Sequence, residues 1–119
     1  MSNNIGEELK DIISRFGLID RTFENARENI DNFVFEEKEK ASEYGITSRD
    51  SVKYDLDLCS YNISDMGLDT ERQCIEIRIN YYCQENVRGS IKNRYMGHYS
   101  ALYDPCTAEI IDDFIVINL

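Results

Sequence analysis

The apolar positions near the N-terminus recur with the spacing of an amphipathic helix. They are Ile5, Leu9, Ile12, Ile13 and Phe16. This i, i+4, i+7, i+8 pattern predicts a first helix over about residues 4–16. Ser2 or Asn3 can cap its start, and Gly17 can end it.

A second and longer helix is predicted over about residues 21–44. One face of it is apolar except for Glu37, and consists of Phe23, Ala26, Ile30, Phe33, Val34, Ala41 and Tyr44. Asp20 is the predicted N-cap, and Gly45 closes the helix. The opposite face is acidic and carries Glu28, Glu36, Glu39 and Glu43.

From residue 51 onward the apolar period changes from that of a helix to the alternation of a strand. The pattern predicts four strands, over about residues 51–60, 73–83, 91–103 and 109–118. Turn-forming residues fill 62–70 and 84–90, and the only proline, Pro105, predicts a type I turn between the third and fourth strands.

Alternation in the third strand assigns its side chains to two faces. One face takes Ile91, Asn93, Tyr95, Gly97, Tyr99, Ala101 and Tyr103, and the other takes Lys92, Arg94, Met96, His98 and Ser100. Two helices followed by four sequential strands predict an α+β fold. Its two N-terminal helices pack on one face of a four-stranded antiparallel β-meander, in a single domain over residues 1–119.

Composition narrows the class of protein. The 119 residues include 23 Asp and Glu against 13 Lys and Arg, a net charge of −10, with 42% hydrophobic residues. That hydrophobic content predicts a folded domain instead of a disordered acidic tail. The acidity is uneven, because residues 1–70 sum to −8 and residues 101–119 to −4, whereas residues 71–100 carry +2.

The four cysteines argue against zinc. Cys59, Cys74, Cys83 and Cys106 form no C-x-x-C pair, and His98 is the only histidine. Free thiols are favoured over disulfides, because the N-terminus has no signal-peptide pattern and no membrane-span pattern follows. The expected location is the cytoplasm, and no cofactor or metal is expected.

The sequence contains candidate residues for catalysis, but each has a simpler explanation. His98 could act as a general base, or with Cys74 if the strand register brings the two together, but a lone histidine on a strand face is usually a surface residue. Paired carboxylates near the C-terminus could do acid and base chemistry, yet a charged edge strand explains them more simply. Asp65, Gly67 and Asp69 supply too few ligands for calcium. The chain is therefore not expected to be an enzyme.

Basic and aromatic residues interleave in the middle strands, a pattern that single-stranded nucleic acid can favour. They are Arg72, Arg78, Arg88, Lys92 and Arg94, with Tyr81, Tyr82 and Tyr95. A net charge of −10 opposes binding to a polyanion, so no direct nucleic-acid binding is expected. Cross-strand ion pairs, for example Glu76 with Lys92 or Arg94, explain these charges instead.

The charge predicts a small acidic protein that binds and neutralises a basic protein partner, with a bacterial immunity protein against a cationic nuclease toxin as its expected form. A phage-type nucleic-acid mimic is a variant of the same idea. The predicted contacts are Glu36, Glu39, Glu43, Asp104, Glu109, Asp112, Asp113 and Tyr82.

Two alternatives stay open at this point. Helices on a curved antiparallel sheet can enclose a ligand pocket, as in cystatin-like and nuclear-transport-factor-like folds. The pocket groups would be His98, Tyr95, Tyr99 and Asp113. The outer sheet face could also pair with a second copy, giving a homodimer.

Overall fold

A computed structural model describes the backbone of residues 5–65 and 71–119 and the side chains of residues 10–61 and 73–119. Its elements follow each other as α1 (Ile5–Arg15), α2 (Leu18–Glu36), α3 (Lys38–Glu43), a 3₁₀ turn (Arg49–Ser51), β1 (Val52–Asp65), β2 (Glu71–Val87), β3 (Ser90–Tyr103) and β4 (Ile110–Ile117). The strands form one antiparallel sheet in the order β1-β2-β3-β4. The predicted α+β fold, with helices preceding a four-stranded meander, is confirmed.

The helices differ from their predicted bounds at two places. Gly17 has a φ of 59°, so the chain reverses within two residues and α2 begins at Leu18. Asp20 therefore lies in the first turn of α2 and is not its N-cap. The long helix is also divided at Glu37, whose φ and ψ are −121° and 49°, and the new direction buries Ala41 of α3. The predicted caps Ser2 and Asn3 lie outside the described residues.

The first two strands are longer than their sequence pattern predicts. Residues 84–87, predicted as a turn, belong to β2, and residues 62–65 belong to β1. Val87 pairs with Ser90, so the connection between β2 and β3 is only Arg88 and Gly89, with φ of 54° and 84°. Positive φ at both positions is typical of a type I′ turn, which matches the twist of the strands it joins. The rest of the predicted 62–70 turn, residues 66–70, lies outside the described part of the chain.

Arg88 is poorly suited to its position in this turn, because a side chain with a Cβ is strained at positive φ. Replacing Arg88 by Asn, which tolerates that conformation, is expected to raise the free energy of unfolding by about 0.5–1 kcal/mol. Urea unfolding measures the change. Arg88→Gln removes the same charge without favouring positive φ, so equal stability of the Asn and Gln variants would contradict the expectation.

The core lies between the helices and one face of the sheet, called the inner face. Its fully buried side chains include Leu18, Ala26, Ile30, Ile46, Ile75, Ile77, Ile79, Tyr81, Tyr99 and Tyr103. Hydrogen bonds join the buried phenols to α2, since the Tyr81 hydroxyl donates to the carbonyl of Ala26 at 2.9 Å. The hydroxyl of Thr22 donates to the Leu18 carbonyl and accepts from the Tyr103 hydroxyl at 2.7 Å. These bonds fix α2 over β2 and β3.

The predicted hairpin between β3 and β4 is present, and its loop is tied to the helices. The Asp104 carboxylate accepts from the backbone N–H groups of Cys106 and Thr107, at 2.7 and 3.1 Å. Arg21, in the first turns of α2, donates to the carbonyl of Ala108 at 3.0 Å and lies over the Tyr103 ring. The loop therefore sits at the N-terminal end of α2. In the described part of the chain, no helix is both long enough and apolar enough to cross a bilayer.

All four cysteines are free, and they differ in exposure. Cys106 is exposed, Cys59 is half-buried, and Cys74 and Cys83 are buried. Burial also raises the pKa of the Cys59 thiol, which lowers its thiolate fraction. We expect Cys106 to react first with a thiol reagent such as Ellman's reagent, Cys59 more slowly, and the other two only in denaturant. A Cys106→Ser variant that kept the fast phase would contradict this order.

Candidate functional site

The face of the sheet that points away from the helices, called the outer face, carries a continuous row of rings. Tyr82 of β2 and Tyr95 of β3 meet edge to face with centroids 5.8 Å apart. The Tyr95 hydroxyl lies 2.9 Å from Nδ1 of His98, whose ring meets that of Phe114 of β4 at 6.2 Å. These four residues, called the aromatic band, cross three strands. Tyr95 and Phe114 remain 46% and 42% exposed, so the band offers apolar area to a partner.

A β-bulge creates the aromatic band. Tyr82 pairs with Tyr95, but the next pair is Tyr81 with Gly97, so Met96 is an extra residue. The bulge reverses the alternation within β3. It places Tyr95 on the outer face with His98, whereas the simple alternation placed Tyr95 with Tyr99 on the inner face, and that prediction is wrong. Met96, expected on the outer side, is fully buried. Glycine inside a strand was the available signal of a bulge.

Beside the band, Arg78 holds a charged cluster on the outer face. Its guanidinium donates to the Ser100 hydroxyl at 3.1 Å and to the Glu76 carboxylate at 3.0 Å. The Asp57 carboxylate lies 3.9 Å away. The predicted cross-strand pairing of Glu76 with Lys92 or Arg94 is wrong, because Glu76 stands opposite Leu102 in the register.

Arg94 lies on the other side of the sheet, over the ring of Tyr44 at 5.4 Å. Arg78 and Arg94 therefore face opposite ways, and Tyr81 is fully buried. The side chain of Arg72 lies outside the described residues. Among the described side chains, Arg78 shares the outer face with Tyr82 and Tyr95, whereas Arg94 and Tyr81 do not.

His98 is positioned by its neighbours on the outer face. Desolvation lowers its pKa, and the charge of Arg78 adds to that effect against the weaker influence of Asp57 and Glu76. A lowered pKa means that the folded state resists protonation of His98. The stability that depends on neutral His98 is fully present above the ordinary histidine pKa of about 6.5 and is lost progressively as the pH falls from there to the lowered folded-state pKa. Cys74 is not its neighbour, since His98 pairs with Asn80, six residues along β2 and roughly 20 Å away.

The structure separates the two predicted acidic clusters. Glu36 ends α2, and Glu39 and Glu43 lie on α3, all three exposed. The loop after β3 contacts Arg21 at the other end of α2. Glu36 lies fifteen residues further along the chain, which corresponds to about 22 Å of helix. The helix cluster and the terminal-hairpin cluster are therefore two surfaces.

Within the terminal hairpin, the acidic residues also point in different directions. Asp104 is used within its loop, and Glu109 is exposed. Asp112 pairs with Leu102 on the outer face, while Asp113 pairs with Ala101 on the inner face. The Tyr99 hydroxyl donates to the Asp113 carboxylate at 2.7 Å. Of the predicted contacts, Tyr82 and Asp112 share the outer face.

The four residues proposed for a ligand pocket do not form one. Tyr95 and His98 lie on the outer face, whereas Tyr99 and Asp113 lie on the inner face. A groove of about 720 Å³ does exist elsewhere, at the corner between α1 and α2. It is lined by Lys10, Ile13, Ser14, Gly17, Ile19, Asp20 and Cys59.

Among the side chains that the structure describes, no three His, Cys, Asp or Glu residues lie close enough together to bind a metal ion. Asp65, Gly67 and Asp69, which the sequence analysis considered as calcium ligands, lie outside those described side chains. No protein family model, curated protein or solved structure matches the chain. What bears on its function is therefore its own surface: exposed carboxylates in two clusters and an uncovered aromatic band.

Proposed function

We propose that this chain is a non-catalytic binding protein for a basic protein partner, in the form of a bacterial immunity protein that neutralises a cationic nuclease toxin. The observation that carries the proposal is the net charge of −10 on a folded α+β domain. Like charges destabilise a compact chain through self-repulsion, and an oppositely charged partner relieves that cost.

Exposed carboxylates that lack internal counter-ions support the proposal. Among the described residues, Glu36, Glu39, Glu43 and Glu109 form no ion pair, whereas Asp31 and Glu24 are bound by Arg49. Free surface carboxylates project a negative field, which raises the association rate with a cationic partner by about 10- to 1000-fold at low salt. Their positions at both ends of the domain suit a partner that contacts more than one surface.

The aromatic band supplies the second element of such an interface. Charge steers an encounter, but a long-lived complex also needs a few well-packed anchors, for which tyrosine is among the favoured residues. Tyr82 and Tyr95 hold each other edge to face, and Tyr95 is bonded to His98, so their rotamers are fixed before binding. Preorganised rings lose little side-chain entropy on association.

The test pairs this chain with a cationic nuclease encoded beside its gene, in co-expression survival and in purified binding at about 50 and 300 mM salt. The triple variant Glu36→Lys, Glu39→Lys, Glu43→Lys and the double variant Glu109→Lys, Asp112→Lys are each expected to slow association by about tenfold or more at low salt. Glu28→Lys, an exposed charge on α2 outside both clusters, is the control. Unchanged affinity and salt dependence in both variants would refute the proposal.

Each of two alternative functions predicts a result that distinguishes it from the proposed function. A nucleic-acid mimic would show the same salt dependence, but duplex DNA would compete with the chain for the nuclease. A small-ligand protein would use the groove between α1 and α2, where Lys10 and Asp20 offer charged groups beside apolar Ile13 and Ile19. Protection of Cys59 from alkylation by a bound metabolite would favour that second function.

A further inference from the structure

We propose that the free edge of β4 binds an extended basic segment of the partner as a fifth strand of the sheet. This inference rests on the proposed function, because it assigns the mode by which a cationic partner is held. β4 is the terminal strand in the order β1-β2-β3-β4, so one of its sides pairs with β3 and, over residues 5–65 and 71–119, the other has no strand beside it. Strand addition to such an edge supplies main-chain hydrogen bonds as affinity.

The backbone of β4 directs alternate groups outward. The N–H of Asn118 donates to the carbonyl of Met96 at 2.7 Å, and Ile117 is the next residue in the pairing with Gly97. Antiparallel ladders alternate between hydrogen-bonded and non-hydrogen-bonded pairs. The backbone N–H and C=O groups of Phe114 and Val116 therefore face β3. Those of Asp113, Ile115 and Ile117 face the open edge.

The contacts of Asp113 agree with that assignment. Its backbone N–H donates a hydrogen bond to the neighbouring Asp112 carboxylate at 2.9 Å. A residue with an outward N–H can make such a local bond without breaking the ladder to β3. The outward N–H groups of Ile115 and Ile117, with the carbonyls of all three outward residues, are therefore placed to receive a strand.

Side chains along the edge are apolar, with one carboxylate on each face. Phe114 is 42% exposed on the outer face and Ile115 37% exposed on the inner face. Asp112 and Asp113 flank them, also one on each face. The Tyr99 hydroxyl fixes the Asp113 carboxylate. An incoming strand with two consecutive basic residues can place one beside each carboxylate, and its apolar residues then cover Phe114 and Ile115.

Charge selects the occupant. A second copy of this chain would bring another pair of aspartates and a net charge of −10 to the same edge, so self-pairing is opposed. A cationic strand meets the opposite sign, and the same two carboxylates thus reject self-association and favour the partner. Both edge strands contain a bulge, at Asp57 in β1 and at Ile111 in β4, and the proposed site is the regular segment of β4 from Asp112 to Ile117.

The probe is a capped hexapeptide, Val-Thr-Val-Thr-Lys-Lys, written to lie antiparallel to residues 112–117. Its control has Glu-Glu in place of Lys-Lys. NMR amide shifts of the isotope-labelled chain are expected to change at Ile115 and Ile117, and hydrogen exchange of those amides is expected to slow. The glutamate peptide is expected to bind about tenfold more weakly or worse.

Two variants distinguish the contribution of backbone hydrogen bonds to peptide binding from the contribution of charge. Ile115→Pro removes an outward N–H, and proline is tolerated on an edge strand where its nitrogen faces solvent, so the fold is retained while peptide binding is lost. Ile115→Val is its matched control. Asp112→Lys leaves the backbone unchanged and is expected to weaken lysine-peptide binding by about tenfold, against no loss for Asp55→Lys on β1.

Each outcome has a defined meaning. Peptide shifts confined to the surroundings of Glu36, Glu39 and Glu43 would overturn the edge site and leave a basic partner in place. Equal binding of both peptides would overturn selection by charge. If the peptide fails to bind but the cationic nuclease binds, the edge inference fails alone, and if neither binds, the proposed function fails as well.

Discussion

Replacing Gly97 by Ala is expected to lower the free energy of unfolding by about 3 kcal/mol or more. Gly97 has a φ of 142°, and a Cβ added there would overlap the Val116 carbonyl oxygen and lie 2.8 Å from its carbon. The obstacle is backbone, so no side-chain rotation relieves it. β4 must move away from β3, or the bulge at Met96 must rearrange.

Gly89→Ala is the matched control for Gly97→Ala. Its φ of 84° is also positive, but no atom lies within 4 Å of an added Cβ. Its cost is therefore the conformational strain alone, about 1–2 kcal/mol. Urea unfolding followed by circular dichroism compares the variants. If both lose the same stability, the close approach of Gly97 to β4 does not hold.

The Gly97 variant also tests the geometry of the aromatic band. The bulge places Tyr95 and His98 on one face, so a rearranged bulge is expected to separate the Tyr95 hydroxyl from Nδ1 of His98. The imidazole chemical shifts of His98, the only histidine, would then change. Stability lost without any change at His98 would show that β4 moves while the bulge stays intact.

Strongly alkaline solution is expected to unfold the domain through three buried phenols. Desolvation raises the pKa values of Tyr81, Tyr99 and Tyr103, and the neighbouring Asp113 carboxylate raises that of Tyr99 further. All three are at most 1% exposed. An unfolded chain releases these protons near the ordinary tyrosine pKa of about 10, while the folded chain keeps them.

The sign of the effect follows from that difference in bound protons. Above about pH 10 the native state holds more protons than the unfolded state, so stability falls as the pH rises. A phenol whose folded-state pKa lies well above 10 contributes about 1.4 kcal/mol per pH unit, so Tyr81 and Tyr99 together give about 3 kcal/mol per unit, and Tyr103 adds to it in the same direction. Below about pH 10 the stabilisation is complete. Tyr54, whose pKa burial raises to about 12, acts in the same direction.

Urea unfolding at a series of pH values and the phenolate absorbance measure the two sides of this linkage. We expect the three phenols to ionise only as the chain unfolds. Tyr81→Phe should reduce the alkaline slope by about 1.4 kcal/mol per pH unit, and Tyr103→Phe should reduce it in the same direction; each also lowers neutral stability through a lost buried hydrogen bond. Ionisation of all eight tyrosines in a still-folded chain would contradict the prediction.

The spacing of apolar residues and the positions of turn-forming residues predict most of the fold, because both are local properties of the sequence. The apolar face of α2 and the alternation in β1 and β2 locate these elements within a few residues. The sequence pattern does not locate the break at Glu37, because a helical apolar pattern continues on both sides of it. Nor does it reveal the extension of β2 to Val87, since Gln84, Glu85 and Asn86 are common in turns and gain strand structure here by pairing with β3.

The candidate site was less accessible to sequence reasoning than the fold. Tyr82 and the acidic residues follow from composition and exposure. The proximity of Tyr95 to His98 does not, because one inserted residue at Met96 reverses the face of every position on one side of it. Strict alternation therefore assigns Tyr95 to the core. Gly97 was the signal, and its close approach to Val116 is the reason that no larger residue fits.

By itself, the sequence determined the element order, the antiparallel meander and the net charge of −10. These depend on periodicity and composition, which act along the chain. Only the tertiary structure decided that the acidic residues form two separate surfaces, that the aromatic band crosses the outer face, and that β4 offers a regular free edge. Those properties depend on strand register and on which end of α2 meets the terminal hairpin, and register is set by contacts between distant residues.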